Sequence, residues 1–373
     1  MDFEPFLMAL GMNDSFTSIV SEYTTLDNLC MEALGRCLTD NRKITRIELV
    51  GAGITDISPI GAGLKQSSQF HQLSILNLSK NKLHDRGIIA LASALESCTM
   101  HSMQTINLND CEIGSKGMVA LFDAFHQNLF FSLSIQALYI AGNNMNEAST
   151  NALLRWLRRS RGQLHLEYLS LARSFGSVPI DLLLGALAYA PCRLKWLDLS
   201  GIKFGDQERA AVDSFMPTLM GNSRLPPSNE FTTQVAIGGN QSSSPIASSP
   251  SPRHSIGLAP YAAFDEDEDL PQIPGSPALP SDMAFTLVLR HCQISADMMI
   301  ETLLPALKRN KDLSRVSLDI SLNDLTNTCL TMATALMTDY TALMSLRMSH
   351  VKMRTRTLVN FLNAPPPAGL KRL

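Results

Sequence analysis

The chain has 373 residues, 45% of them hydrophobic and 17% charged, with a formal net charge of −3. That balance supplies ample apolar material for packing and excludes the basic field that would gather nucleic acid or an anionic membrane surface. No run reaches the roughly 18–20 apolar residues of a membrane-spanning helix, so no integral membrane segment is expected.

Residues 1–43 precede the first regular element and are expected to form an N-terminal cap. Leu26, Leu29, Met31, Leu34 and Leu38 are spaced for a helix, and Phe16–Tyr23 reads as an extended edge. The opening MDFEPFLMALGM is apolar but short, carries Asp2 and Glu4, and lacks a basic leader region, which makes it a poor signal peptide.

The stretch Leu73–Glu96, LSILNLSKNKLHDRGIIALASALE, then sets the pattern for the chain. Leu73, Leu76, Leu78, Asn81 and Leu83 fit L-x-x-L-x-L-x-x-N-x-L. A turn at Asp85-Arg86-Gly87 leads into a helix with Ile88, Leu91, Ala92 and Leu95 on one face. The asparagine is expected to bond backbone groups that the turning chain leaves unpaired.

One strand and one helix cannot bury that edge alone, so the unit predicts its own repetition. The last apolar strand position recurs at Leu49, Leu78, Leu108, Ile140, Leu171, Leu199, Leu289, Ile320 and Met348. The separations are 29, 30, 32, 31, 28, 90, 31 and 28 residues. Nine copies with room for a helix in each predict an α/β leucine-rich-repeat solenoid of the ribonuclease-inhibitor-like horseshoe type. Parallel strands would line the concave face and helices the convex one.

The order along the chain follows from those positions. Residues 44–219 hold repeats 1–6, with helical stripes such as Met118, Leu121, Phe122 and Phe125; Leu153, Leu154 and Leu157; and Leu182, Leu183, Leu184 and Leu187. Arg155, Arg158, Arg159 and Arg161 read as a solvated helix end favoured by the dipole, with an acidic docking surface as the other reading. Gly51, Gly53, Gly61 and Gly63 read as repeat turns.

Residues 220–282 are a Ser/Pro-rich insertion expected to be disordered, and they account for the 90-residue gap. In it, Ser244, Ser249, Ser251 and Ser276 each precede proline and are candidate phosphosites. Asp265–Asp269, following Tyr261 and Phe264, reads as a short linear motif or a solvating charge run. Residues 283–364 carry repeats 7–9, with helices near Met299–Leu307, Leu330–Leu336 and Leu358–Leu362 and a strand irregularity expected in repeat eight. Residues 365–373 form a tail.

The seven cysteines, Cys30, Cys37, Cys98, Cys111, Cys192, Cys292 and Cys329, include no C-x-x-C pair. Cys111 and Cys292 occupy the slot of Asn81, where a thiol still donates weakly. They read as buried reduced thiols of an intracellular protein, and the cytosol is the expected compartment. No phosphate loop, H-E-x-x-H or G-x-S-x-G is present, and the eight histidines lack metal-ligand spacing, so no cofactor, metal site or enzyme activity is expected.

The expected work is protein binding. Along the strands the outward residues between the paired apolar positions are Glu48, Asn77, Asn107, Tyr139, Ser170, Asp198, Val288, Asp319 and Arg347. They form a polar, mildly acidic row with Tyr168 and Trp196 as adjacent aromatic anchors.

FTSIVSEYTTLDNLCMEAL, IELVGAGI, LNLSKNKLHDRGI and DLSRVSLDISLNDL resemble the leucine-rich-repeat region of the CARMIL proteins, linkers of actin capping protein, the Arp2/3 complex and myosin I. The resemblance implies an intracellular scaffold for actin assembly at membranes, with actin-assembly factors as partners. That family's pleckstrin-homology-like domain, dimerisation region and capping-protein segment of the L-x-H-x-T-x-x-R-P-K type find no match in these residues, so capping-protein binding is not implied. Two alternatives stand beside it: a GTPase-activating protein of the Ran type, using Asn81 and Arg86, and a ribonuclease-inhibitor or immune-sensor-like binding domain.

Overall fold

The computed structural model describes residues 4–66, 72–98, 102–159, 164–174, 178–188, 194–219, 285–311, 313–325 and 340–352, together with 354–356, 359, 363 and 370. Residues 1–222 and 279–373 form one compact unit and residues 223–278 a second. None of the second unit belongs to the described residues, so Ser244, Ser249, Ser251 and Ser276 lie outside them, as do the acidic run, Arg161, Cys192, Cys329 and the helix expected at Leu330–Leu336. Only Val359 of the segment expected at Leu358–Leu362 is described.

The first unit is built on one ten-stranded sheet, every strand parallel to its neighbours and in chain order. The strands are β1 (Ser18–Glu22), β2 (Arg46–Val50), β3 (Ile75–Asn77), β4 (Thr105–Asn107), β5 (Ala137–Tyr139), β6 (Tyr168–Ser170), β7 (Trp196–Asp198), β8 (Phe285–Val288), β9 (Val316–Asp319) and β10 (Leu343–Arg347). Parallel neighbours need a long crossover, and here each is a helix-bearing repeat. The helices are α1 (Glu4–Gly11), α2 (Asn28–Asp40), α3 (Ser58–Gln66), α4 (His84–Ser97), α5 (Ser115–Gln127), α6 (Leu129–Ser134), α7 (Glu147–Arg159), α8 (Ile180–Ala188) and α9 (Arg209–Phe215). They pack in series, α1 on α2 through to α8 on α9, with α5 reaching α7 directly and the short α6 seated on α5. This is a leucine-rich-repeat solenoid.

The core lies between strands and helices. Ile47, Leu76, Ile106, Leu138, Leu169, Leu197, Leu287, Leu318 and Leu346, one on each of β2–β10, are all buried in it, and Ile19 of β1 packs against them partly buried. β7 pairs with β8 through Leu197 and Leu287, so the ladder continues across the 90-residue gap. The extended edge read at Phe16–Tyr23 is a full strand: Ile19 pairs with Ile47 and Ser21 with Leu49. A rung with serine in the leucine slot escapes a pattern built on leucine.

Asparagine and cysteine tie the rungs together as expected. Asn81 Nδ2 donates to Leu49 O (2.7 Å) and Leu78 O (2.8 Å), and its Oδ1 accepts from Ile54 N at 3.0 Å. Asn143 and Asn323 repeat this geometry. In the same slot Cys111 Sγ donates to Leu78 O at 3.2 Å and Cys292 Sγ to Leu199 O at 3.3 Å. The five described cysteines are all buried. Burial lifts the thiols of Cys37 and Cys98 to about 11 and that of Cys111 to about 12, so they remain protonated and unreactive.

A second asparagine ladder, at the helix ends, was not anticipated from the sequence. Asn41, Asn128 and Asn310 donate to carbonyls at the end of the preceding repeat's helix layer: Leu10 and Asn13, Leu95 and Cys98, Met216 and Leu219. Each satisfies carbonyls that a helix terminus leaves orphaned.

Several local expectations need correction. Asp85–Gly87 is no turn before the helix but its first turn, and Asp85 Oδ1 accepts from Gly117 N of the next repeat at 2.8 Å. Gly61 and Gly63 lie inside α3, where a Cβ on Gly63 would collide with the Gly35 carbonyl of α2. β9 pairs regularly with β8; the irregularity falls one rung later, at Met344 in β10. The helix expected at Met299–Leu307 opens as a π turn, Met298–Leu303, before α-helical Leu304–Arg309. Pro305 has no N–H for the carbonyl of Glu301 and would crowd it, which the wider turn relieves. Leu29 is exposed, and so is not part of the α2 stripe.

Candidate functional site

Side chains alternate across a strand, so each short strand sends its central leucine-type residue to the core and its two flanking residues to the opposite face. The expected outward row is continuous there. Pairing aligns Glu48, Asn77, Asn107, Tyr139, Ser170, Asp198, Val288, Asp319 and Arg347 across nine strands. A second row runs beside it through Arg46, Ile75, Thr105, Ala137, Tyr168, Trp196, Thr286 and Ser317. Only Tyr168 and Trp196 of that row were singled out from the sequence. Period-two alternation, applied to the position before the central leucine, would have found the rest.

The two ends of this face differ. On β2–β4 the residues of the first row, Glu48, Asn77 and Asn107, are buried and closed by hydrogen bonds to nearby side chains and backbone. Glu48 accepts from Arg46 Nε at 2.6 Å. Asn77 Oδ1 accepts from Ser79 N at 3.1 Å and Ser79 Oγ at 2.8 Å. Asn107 Oδ1 takes Asn109 N at 3.0 Å, and Asn109 Oδ1 takes Ala141 N at 2.7 Å.

From β5 to β8 the face turns aromatic. Ala137, Tyr139, Tyr168, Trp196 and Val288 form a buried apolar cluster of their own, separate from the main core. The Tyr139 and Trp196 rings sit 6.0 Å apart at 57°, within the range of favourable tilted pairs. Burial drives the phenol of Tyr139 well above its ordinary range, and that of Tyr168 upward too. Two hydroxyls on this face, Thr105 Oγ1 and Tyr139 OH, are buried with no hydrogen-bond partner among the described residues. Such groups cost free energy and are uncommon.

Beyond the aromatic cluster the row becomes charged. Asp198 is half-buried and accepts from Ser200 N at 2.9 Å and from Ser200 Oγ. Burial outweighs those bonds and raises its carboxyl above the usual range. Asp319 is buried and accepts from Arg290 Nε at 2.8 Å, with Arg347 Nη1 3.9 Å away; half of the Arg347 side chain is exposed. Ser170 is buried.

The loop after each strand keeps a regular backbone as well. Tyr23, Gly51, Lys80, Asp110, Gly142, Arg173, Gly201, His291, Leu322 and His350 all have positive φ, one per rung. A side chain on Gly142 would strike Asp110, and its absence lets Arg173 reach over the intervening rung to hold both Asp110 oxygens, at 3.0 and 3.1 Å.

The tryptophan within the arginine-rich helix end proves to be core. Trp156 is fully buried, donates from Nε1 to Ser132 Oγ at 2.9 Å, and packs on Phe122 and Phe125. Arg155 lies outside and pairs with Asp123 at 2.7 Å. Asn81, one of the pair considered for GTPase activation, is buried with its amide committed to the ladder, whereas Arg86 is exposed. Among the described residues no cluster of His, Cys, Asp or Glu is arranged to hold a metal ion, and no helix is long and apolar enough to cross a membrane.

The fold and its ladders define a leucine-rich-repeat solenoid, and repeats of this kind indicate a protein-interaction domain. The family described as "Leucine Rich repeat" matches residues 71–92 and 99–122, the second and third repeats. No curated relative matches the chain. Among solved structures that match is the actin-binding site 2 of leiomodin-1, 14% identical, covering 45% of this chain and 80% of that one, with a TM-score of 0.30.

Proposed function

We propose that the protein is a non-enzymatic cytoplasmic scaffold that grips a protein partner over the aromatic half of its strand face, in the manner of the CARMIL-type regulators of actin assembly. The observation that carries the binding site is the second apolar cluster, Ala137, Tyr139, Tyr168, Trp196 and Val288, on the face turned away from the core. Aromatic anchors bordered by charge are the composition of a binding hot spot and its rim. The unspent hydroxyls of Thr105 and Tyr139 add hydrogen-bonding capacity that the solenoid does not itself use. The actin reading rests on the sequence resemblance. Two of its stretches, FTSIVSEYTTLDNLCMEAL and IELVGAGI, fall on β1, α2 and β2, which begin the ladder.

Affinity capture from cytosol, with the full chain and with residues 220–282 removed, tests this directly. Recovery of actin-assembly factors is the expected result, and their absence from both captures would remove the actin reading. Arg347→Gln, at a half-exposed side chain, should weaken capture with little shift of the melting temperature, since Arg290 still pairs with Asp319, and Trp196→Ala should weaken it by about 30-fold. Unchanged capture by both variants would remove this face as the site.

A further inference from the structure

Among the described residues no strand pairs with the outer side of β1, at the N-terminal end of the sheet. Thr17 O accepts from Thr45 N and Arg46 N, and Tyr23 N donates to Val50 O, so the odd-numbered backbone groups of β1 face β2. The N–H and C=O groups of Ser18 and Val20 therefore point to the free edge, with Glu22 N–H beside them. The usual devices that blunt such an edge are lysine, proline, a bulge or an inward charge. β1 has no lysine, proline or bulge, and Glu22, at its end, is its one exposed charge: it reads Ser-Ile-Val-Ser-Glu. β10, at the far end, carries both a bulge at Met344 and the exposed Arg347.

Apolar surface collects at the same end. Phe6, Met8, Met12, Phe16 and Val20 are each more than half exposed. At roughly 200 Å² per large side chain, these five leave close to 600 Å² of apolar surface in water. A stable interface of standard size takes about 800 Å² from each partner, a total within reach once backbone and polar rim are included. α1 packs on α2, which places it in the helix layer above the β1 edge.

We infer that two copies of this chain associate through β1, pairing antiparallel about a two-fold axis at Val20. That register is self-complementary. Val20 faces Val20 of the second copy and exchanges both backbone bonds with it, Ser18 faces Glu22, and Ile19 faces Ser21, so no like charges meet. The same axis carries α1 of one copy alongside α1 of the other.

Sedimentation equilibrium of the full chain over a concentration series tests this. The wild type forms a dimer. Val20→Lys sets two ammonium groups opposite each other and weakens association about a hundredfold, while leaving the melting temperature of the monomer unchanged because the side chain is exposed. Val20→Cys cross-links to its own copy under mild oxidation, since paired Cα atoms at about 5.5 Å suit a disulfide. Ser18→Cys does not, because its counterpart lies roughly 13 Å along the strand. A monomer at every concentration, a dimer indifferent to Val20→Lys, or equal cross-linking at both positions overturns the inference, as does a different chain captured on this edge.

Discussion

The outward residues of β2–β4 and those of β5–β8 occupy equivalent positions on one sheet, yet they solve different problems. In the first group Glu48, Asn77 and Asn107 are closed off by neighbours one or two residues away in sequence or on the next rung. They hold the shape of the strand ends and have little left to offer. In the second group Tyr139, Tyr168 and Trp196 gather in one apolar cluster, with the rings of Tyr139 and Trp196 tilted against each other, and the nearby hydroxyls of Thr105 and Tyr139 have no hydrogen-bond partner among the described residues. Local hydrogen bonding finishes a surface; apolar rings outside the core mark one built to be completed by something else.

That contrast can be broken most forcefully by truncation. Tyr139→Ala should cost about 3–4 kcal/mol of unfolding free energy, because a buried aromatic leaves a cavity. Asn107→Ala should cost only about 1 kcal/mol, the net value of its local bond. Urea midpoints at constant m-value would measure both, and equal losses would erase the distinction between the two halves.

A finer probe removes only the hydroxyls. Tyr139→Phe and Thr105→Val should be neutral or stabilising by up to about 1 kcal/mol, since each deletes a buried group without a partner. A clear loss of stability in either variant would mean that the hydroxyl is satisfied after all.

Asp198 sharpens the boundary between aromatic and charged rungs through pH. Its carboxyl is raised by burial, so the folded state holds the proton more tightly than the unfolded chain. Stability contributed by that proton is present below the unfolded carboxylate range, about pH 4, and is lost as pH rises through the higher folded value. Asp198→Asn should therefore flatten the decline above about pH 4 and melt higher than wild type at neutral pH, while keeping an acceptor for Ser200. The opposite sign would show that Arg290 and Arg173 dominate over burial.

The smallest effect is expected beneath the aromatic rungs. Cys292→Ser keeps a donor for Leu199 O in the same slot and should change stability by less than about 1 kcal/mol, whereas an aspartate there would bury a charge and cost more. Thermal melts of the two variants side by side would check this.

The repeat itself was readable because its period is written in the core: one leucine-type residue at the end of each strand and, on five of the nine rungs, an Asn or Cys three positions after it. Spacing sufficed to place Leu199 and Leu289 on adjoining rungs despite the 90 residues between them. The β1 rung was harder, since Ser21 sits where leucine is the signal and only its pairing with Leu49 reveals it. The π turn before Pro305 and the bulge at Met344 were misplaced or missed because both depend on how one rung seats on the next.

By itself, then, the sequence determined the α/β repeat architecture, the identity of the buried ladder residues and the nine-strand row of outward positions. These follow from apolar spacing and from the hydrogen-bonding inventory of each side chain. Only the tertiary structure decided which outward residues are spent. Asn77 and Tyr139 occupy the same register position, but Asn77 is closed by Ser79 two residues on, whereas Tyr139 keeps a bare hydroxyl among apolar side chains from other rungs. That depends on which side chains from other rungs stand beside it, a consequence of stacking that no local pattern encodes.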